Sequence, residues 1–263
     1  MTVRTLEKSK KTVTFFIKLT IITLSWIFVA ERIINSPDIF NFGDHFVKNG
    51  LHNAHLLVTI IVLMGLNWSL ETIKWKYLIK KIENISFLKA FKAVWSGITT
   101  GTITPNRIGE FGGRIVFLKV ENRKKAIIIT LVGDLSQMLI TLIMGILGAA
   151  ILVTTCYNKI AFFQDYKLLF FGTAAIVAII CLILFFDINN VLKKLIRFKF
   201  LAKYLQKYIP EEKISLKNKI GTLFLSFFRY LIFCFQFYLA LQYFDINIGL
   251  IQSFAAISSM YLA

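Results

Sequence analysis

Residues 93–114, "AVWSGITTGTITPNRIGEFGGR", lie between two strongly basic segments of the chain, 73–92 and 115–125. Basic segments beside membrane helices stay on the cytoplasmic side, so both ends of residues 93–114 are predicted to lie on one side of a membrane. The first half, 93–104, is about 18 Å long as a helix, too short to cross roughly 30 Å of hydrocarbon. We therefore predict a re-entrant helical hairpin, whose irregular backbone must be buried in protein or line a watery cavity. The alternative is one complete crossing, which places one basic flank outside.

The rest of the sequence is a series of long apolar runs. Of its 263 residues, 57% are hydrophobic and 26 are Phe, and the mean hydropathy is +0.68. A helix needs about 20 apolar residues to cross a bilayer. We therefore predict an all-α, polytopic helical membrane protein with a single domain over residues 1–263, and with spans at about 13–30, 55–72, 126–153, 168–186, 220–243 and 250–263.

The basic residues lie between these runs and produce a formal charge of +17. A nucleic-acid-binding protein instead carries a basic stripe on a folded soluble domain, so we exclude nucleic acid as a partner. Segments 1–12 and 187–219 are rich in Lys and Arg, whereas loops 31–54 and 154–167 are poor in them. The positive-inside rule then predicts a multi-pass protein of the cell membrane with a cytoplasmic N-terminus. The first run has no small-residue cleavage site after it and is interpreted as a signal anchor.

The second half of the predicted hairpin contains a dense group of charged residues. Thr104 and Pro105 are typical of an N-cap and a first helical residue, so a second short helix is predicted to begin there. At about 100° per residue, Arg107, Glu110 and Arg114 share one narrow face of that helix. The opposite face is predicted to pack against a neighbouring helix and carries Gly109, Gly112 and Gly113.

Polar residues also occur inside other apolar runs, where function is the default hypothesis. Asp134 and Gln137 lie in the third run, and Arg229 and Gln236 share a face of the fifth. With the hairpin charges, they are predicted to line a polar crevice that binds a lipid headgroup, because Arg matches phosphate through paired hydrogen bonds and a helix N-terminus adds anion affinity. The alternative is that the hairpin charges and Asp134 form an ion-pair network that only clamps the hairpin.

The second run ends in a further polar group. Asn67 and Trp75 are candidate structural residues of this end. Two simpler interpretations stay open: Trp75 as an interfacial anchor, and Glu71 as a carboxylate in headgroup water.

Signatures of enzymes and metal sites are weak. The sequence contains no D-x-D motif, no Walker loop and no nucleophile elbow. His45, His52 and His55 lack a further well-spaced ligand, and the cysteines form neither a disulfide framework nor a zinc spacing. We therefore predict no catalytic residue, no metal site and no cofactor.

Three segments resemble a known family: "TPNRIGEFGGRIVFL" (104–118), "LNWSLETIKWKYLI" (66–79) and, more loosely, "FFRYLIFCFQFYLAL" (227–241). They are similar to the transmembrane region of lysylphosphatidylglycerol synthases, a family that includes stand-alone flippase-like membrane proteins. The match is specific at Pro105, Arg107, Gly109, Glu110, Gly113 and Arg114. The resemblance implies a lipid-handling domain, which in bifunctional members moves aminoacylated phospholipid between leaflets.

Two departures from the family affect what the resemblance implies. The soluble aminoacyl-transferase domain is absent from the sequence, so lysyl transfer is not implied. The sequence stops at "SSMYLA", where relatives continue into a second Gly-Glu/Arg-type motif, so we expect a truncated or incomplete copy.

These observations together predict a protein that binds and translocates a lipid. The expected partner is an anionic or zwitterionic phospholipid or a lipid-linked sugar. One alternative is an integral-membrane transferase acting on a lipid-phosphate carrier, with Glu110 or Asp134 as base. The other is a non-catalytic scaffold for a separate lipid-modifying enzyme.

Overall fold

The computed structural model describes residues 53–156, 161–196 and 214–261, with Thr23, Ile27, Glu31 and Ile34 before them. The chain divides into two compact units, Met1–His55 and Leu56–Ala263. Apart from those isolated positions, the predicted span at 13–30 and the basic segment 1–12 lie outside the described residues. The site described below belongs to the second unit.

In the described ranges the chain forms helices and no strand. Three of these helices are long and apolar enough to cross a membrane: Ala54–Ile79, Val120–Val153 and Leu216–Tyr243. The protein is therefore an all-helical membrane protein, as predicted. Its helices are α1 (Ala54–Ile79), α2 (Phe87–Ile103), α3 (Gly109–Ile115), α4 (Val120–Cys156), α5 (Ala161–Phe186), α6 (Ile188–Ile196), α7 (Leu216–Tyr243) and α8 (Leu250–Met260).

Helix α1 continues past residue 72, where its apolar run ends. Its C-terminal half is buried in protein, and the buried residues are Asn67, Glu71, Thr72, Lys74, Trp75, Leu78 and Ile79. The Trp75 side chain is 1% exposed and donates its indole N–H to Thr130 Oγ1 at 3.1 Å. The interpretation of Trp75 as an interfacial anchor is therefore wrong, as is that of Glu71 in headgroup water, since Glu71 is also 1% exposed.

Two apolar clusters hold the helices together. The larger joins α1, α2, α4 and α5 through residues such as Leu78, Val94, Val132 and Phe185. The smaller joins α7 and α8 to α4 around Tyr230, Cys234 and Ile257. Helix α4 contributes to both clusters, so the polar residues in its middle lie between them.

Helix α3 begins later than predicted. Residues Pro105–Arg107 form a 3₁₀ turn, and the α-helix starts at Gly109. Arg107 has φ of 57°, a left-handed conformation that an α-helix does not accommodate, so the helix cannot run continuously from Pro105. Thr104 still stabilises the start of α3, because its hydroxyl accepts the Gly109 N–H at 2.8 Å and donates to the Thr100 carbonyl at 2.9 Å.

Helices α2 and α3 pack closely against each other, and two glycines of α3 permit this. A Cβ at Gly113 would lie 2.5 Å from the Ser96 carbonyl oxygen and 2.7 Å from Gly97 Cα. One at Gly109 would lie 2.6 Å from Thr104 Oγ1. A Cβ added at Gly112 would meet no atom of another element within 4 Å. The face predicted to pack through three glycines therefore does not include Gly112.

Glu83, in the loop between α1 and α2, connects the two ends of this hairpin. Its carboxylate accepts hydrogen bonds from Lys89 Nζ at 3.0 Å, from the Lys119 amide at 2.9 Å and from Asn122 Nδ2 at 3.0 Å. Burial opposes the charge of Glu83, but these hydrogen bonds outweigh it and lower the pKa of this carboxyl. The beginning of α2 and the beginning of α4 therefore lie side by side.

Candidate functional site

Glu71 of α1 is the centre of a buried ion-pair network. Its carboxylate lies 2.8 Å from Lys74 Nζ, 2.9 Å from Arg114 Nη1 and 2.8 Å from Arg229 Nη1. These partners come from α1, α3 and α7, three separate elements. An unpaired carboxylate at this depth would be strongly disfavoured, and the three cations remove that cost.

The network continues through α3 to the surface of the protein. Arg114 Nη2 donates to Glu110 Oε1, and Arg107 Nη2 lies 2.9 Å from Glu110 Oε2. Cations and carboxylates alternate along the whole series, which we name the ion-pair chain: Arg107, Glu110, Arg114, Glu71 and Arg229. It contains one more positive than negative charge, and an arginine stands at each end.

Arg114 is the most deeply buried of the three arginines in the ion-pair chain, with its side chain 3% exposed. The close approach of α2 provides its space, because a Cβ at Gly97 would lie 2.6 Å from Arg114 Cγ. Carboxylates lie next to Nη1 and Nη2, while the buried Nε has no hydrogen-bond partner among the residues that the structure describes. Arg114 is therefore fixed between two helices, and its burial leaves it little accessible to a ligand.

The terminal arginines have different surroundings. The Arg107 side chain is 66% exposed, and that of Arg229 is 22% exposed. Arg229 Nε donates to Asn67 Oδ1 at 2.9 Å, and its guanidinium carbon lies 5.6 Å from the centre of the Trp68 ring. No described residue accepts a hydrogen bond from Arg229 Nη2. The Arg107 guanidinium forms one ion pair with the described residues, through Nη2, so its other N–H groups are open to a ligand. Both terminal arginines of the ion-pair chain can therefore bind a further anion.

These two arginines border an open polar cleft of about 470 Å³. Helix α4 contributes Asp134, Gln137 and Thr141 to its wall. A second cavity of about 210 Å³ shares Arg107, Gln137, Thr141, Arg229 and Tyr261 with the first. The wall of the cleft therefore contains two arginine side chains together with aromatic and aliphatic ones.

Asp134 is the carboxylate of this cleft that lies outside the ion-pair chain. It is half-buried and lines the wall, but forms no hydrogen bond or salt bridge with any described residue. It therefore remains available to a ligand, a water molecule or a proton.

The structure brings together most of the residues predicted from the sequence, but not Gln236. Arg107, Glu110, Arg114, Asp134, Gln137 and Arg229 all line the cleft. Asn67 supports Arg229 from α1. Gln236 lies outside the cleft and donates to the Ile60 carbonyl at 3.0 Å, so it joins α7 to α1.

Several polar residues of the site were not predicted. Lys74 Nζ lies 3.4 Å from Ser226 Oγ, and Ser226 shares a hydrogen bond of 2.8 Å with Ser136. Both serines are fully buried. Lys74 belongs to the basic segment 73–92 and was therefore interpreted as cytoplasmic. Its spacing of three residues from Glu71, however, places the two side chains on one helix face.

One comparison with known proteins identifies a family for this chain. A family model described as the lysylphosphatidylglycerol synthase TM region matches residues 41–263. No curated protein and no solved structure matches the chain. The match covers the hairpin, the ion-pair chain and every helix that lines the cleft.

Proposed function

Because the chain belongs to the family of the lysylphosphatidylglycerol synthase TM region, we propose that it binds a phospholipid or lipid-linked headgroup in the cleft and moves it between the leaflets. The observation that carries the proposal is the ion-pair chain, whose two terminal arginines, Arg107 and Arg229, have open donors and both line a polar cavity. Arg is the side chain that best matches phosphate geometry.

The role of each arginine in the ion-pair chain follows from how deeply its side chain is buried. Arg107 and Arg229 bind the headgroup phosphate. Arg114 is a positioning residue, because it is almost fully buried and binds Glu110 and Glu71, which in turn hold Arg107 and Arg229. A clamp and a lipid site are therefore parts of one network rather than alternatives. Asp134, which lines the same cleft, would meet a hydroxyl or ammonium group of the headgroup.

Substitution of Arg107 tests this proposal, because its exposed side chain can be changed without opening the core. We expect Arg107→Gln to weaken binding of dioleoylphosphatidylglycerol by roughly ten- to a hundredfold, since a hydrogen bond to a charged group contributes roughly 1.5–3 kcal/mol. Native mass spectrometry of the purified protein measures the affinity. Lys124→Gln is the matched control, since it removes one exposed positive charge outside the cleft.

Transport is measured separately. Proteoliposomes with a fluorescent phosphatidylglycerol report leaflet exchange when dithionite bleaches the outer leaflet, and we expect Arg107→Gln to slow that exchange in parallel. Equal binding in Arg107→Gln and the parent protein contradicts the proposal. An equal loss in Lys124→Gln also contradicts it, because it shows attraction by net charge alone.

The available carboxylate of Asp134 gives a specific reason to test a transferase as the second candidate. A transferase consumes an activated donor and loses turnover in Asp134→Asn. A flippase changes only the distribution of lipid between leaflets, and a scaffold does neither without its enzyme partner. Thin-layer analysis of lipids after incubation with the purified protein separates the first outcome from the other two.

We also propose that α2 and α3 form a re-entrant hairpin in a cell membrane, with the N-terminus of the chain in the cytoplasm. Two observations support this topology. Basic residues flank the hairpin on both sides, and Glu83 holds the residues before α2 against those at the start of α4.

A further inference from the structure

An apolar groove lies between α4 and α8, separate from the polar cleft. It has a volume of about 270 Å³ and is lined mainly by aliphatic and aromatic side chains. Its floor is closed where the helices touch, because a Cβ at Gly148 would lie 2.7 Å from Ser258 Cβ and 2.8 Å from the Ala255 carbonyl oxygen. On its rim, Leu147 is 53% exposed and Ile251 is 70% exposed.

The groove continues the cleft along the same two helices. On α4, cleft and groove residues recur every three or four positions and so lie on one face: Gln137 and Thr141 in the cleft, then Met144, Gly148 and Ile151 in the groove. Tyr261, directly after the last residue of α8, lines the cleft, and Ser258, Phe254 and Ile251 of α8 line the groove. From Gln137 to Ile151 the distance along α4 is about 21 Å.

We propose that this groove holds one hydrocarbon chain of the lipid whose headgroup occupies the cleft. The inference rests on the proposed function and adds to it that the ligand is a long-chain amphiphile bound by head and tail. The order along α4 supports it, since the polar residues Gln137 and Thr141 give way to apolar ones without leaving the face. A single flexible hydrocarbon chain also fits a narrow groove between two helices in contact. A protein helix, about 10–12 Å wide, is too wide to enter it.

The proposal predicts that filling the groove impairs long-chain lipids selectively. We expect Leu147→Trp and Ile251→Trp to weaken binding of dioleoylphosphatidylglycerol about tenfold, comparable to the lost burial of two methylene groups. Dihexanoylphosphatidylglycerol, whose chains are too short to follow the groove, should bind unchanged. Met260→Trp is the matched control, because Met260 is 55% exposed on the same helix and lines neither cavity.

The experiment titrates both lipids against the purified full chain by native mass spectrometry and includes Arg107→Gln. A selective loss of the dioleoyl lipid in both groove variants, with Met260→Trp unchanged, supports the proposal. Unchanged dioleoyl binding in the groove variants overturns it and leaves the cleft intact, provided that Arg107→Gln weakens both lipids. An equal loss of both lipids in the groove variants, or in Met260→Trp, also overturns it. A change in oligomeric mass would assign the groove to a second copy of the chain and overturn it too. Insensitivity of both lipids to Arg107→Gln overturns the proposed function itself.

Discussion

Arg114 of α3 and Glu71 of α1 face each other with Nη1 and Oε1 2.9 Å apart, and both side chains are almost fully buried. This pair attaches the hairpin to the first described helix. Because the same guanidinium also binds Glu110, its removal takes one cationic partner from each of two buried carboxylates at once.

The first prediction is that Arg114→Ala is strongly destabilising. Breaking a buried ion pair from one side costs about 3–5 kcal/mol, so the thermal midpoint of the protein in detergent should fall markedly. Arg107→Ala is the control, since its side chain is 66% exposed and exposed pairs contribute at most about 1 kcal/mol. Similar midpoints for the two variants would contradict the assignment of Arg114 as a positioning residue.

The second prediction separates positioning from binding in the same residue. Arg114→Lys retains one positive charge but cannot reach Glu71 and Glu110 with separate nitrogens of a planar group. We expect a moderate fall in thermal midpoint, and weaker lipid binding per folded molecule because Arg107 and Arg229 lose their orientation. Co-purified lipid should be quantified on the folded fraction alone. If the stability falls while the lipid occupancy is unchanged, the ion-pair chain only holds the hairpin in place and does not bind lipid.

The third prediction compares neighbouring glycines of α3. Gly113→Ala places a Cβ against the α2 backbone and should destabilise the protein by about 1–3 kcal/mol, as overpacking does. Gly112→Ala meets open space and should be neutral or stabilise by up to about 1 kcal/mol through helix propensity. Chemical denaturation in mixed micelles measures both. A tolerated Gly113→Leu would exclude the close packing of the hairpin.

The fourth prediction concerns pH and Glu83. Its pKa is lowered in the folded protein, so the stability that its charge contributes is complete above the ordinary value of 4.5. That contribution is lost as the pH falls through the lowered folded value. Thermal midpoints of the parent and Glu83→Gln, measured from pH 7 downwards, should differ most at pH 7 and converge in acid. A constant difference over the whole range would contradict the role of the charge.

The fifth prediction tests the topology of the hairpin. Single cysteines at Lys89 and Lys124, in a chain whose native cysteines are replaced by alanine, should react with a membrane-impermeant reagent from the same side. Asn247, between α7 and α8, should react from the other side. Labelling of Lys89→Cys and Lys124→Cys from opposite sides would replace the re-entrant hairpin by one complete crossing.

The length of the apolar runs was sufficient to predict the all-helical membrane class. It was insufficient for α1, because a hydropathy run ends at the first charges, whereas the helix continues where those charges neutralise one another in the protein interior. Lys74 was missed for this reason. A single helix also does not show which faces meet, so nothing in the sequence separated Gly112 from Gly113, or Gln236 from Arg229. The left-handed backbone at Arg107 has no clear sequence signal either, since it occurs at a residue other than glycine.

The separation of Glu71 and Arg229 has a consequence for biogenesis. They are 158 residues apart in sequence, so at roughly 5–20 residues per second the ribosome reaches the arginine about 8 to 30 s after the glutamate. By then Lys74, on the same helix, and Arg114, from the hairpin, have been made and can neutralise Glu71. When α7 leaves the translocon, its arginine meets a carboxylate already fixed in place, which offsets the roughly 2.5–3.5 kcal/mol that a lone Arg costs at a helix centre. The order of synthesis therefore favours insertion of α7, and a circular permutant that begins with α7 would have to insert Arg229 before its counter-charge exists.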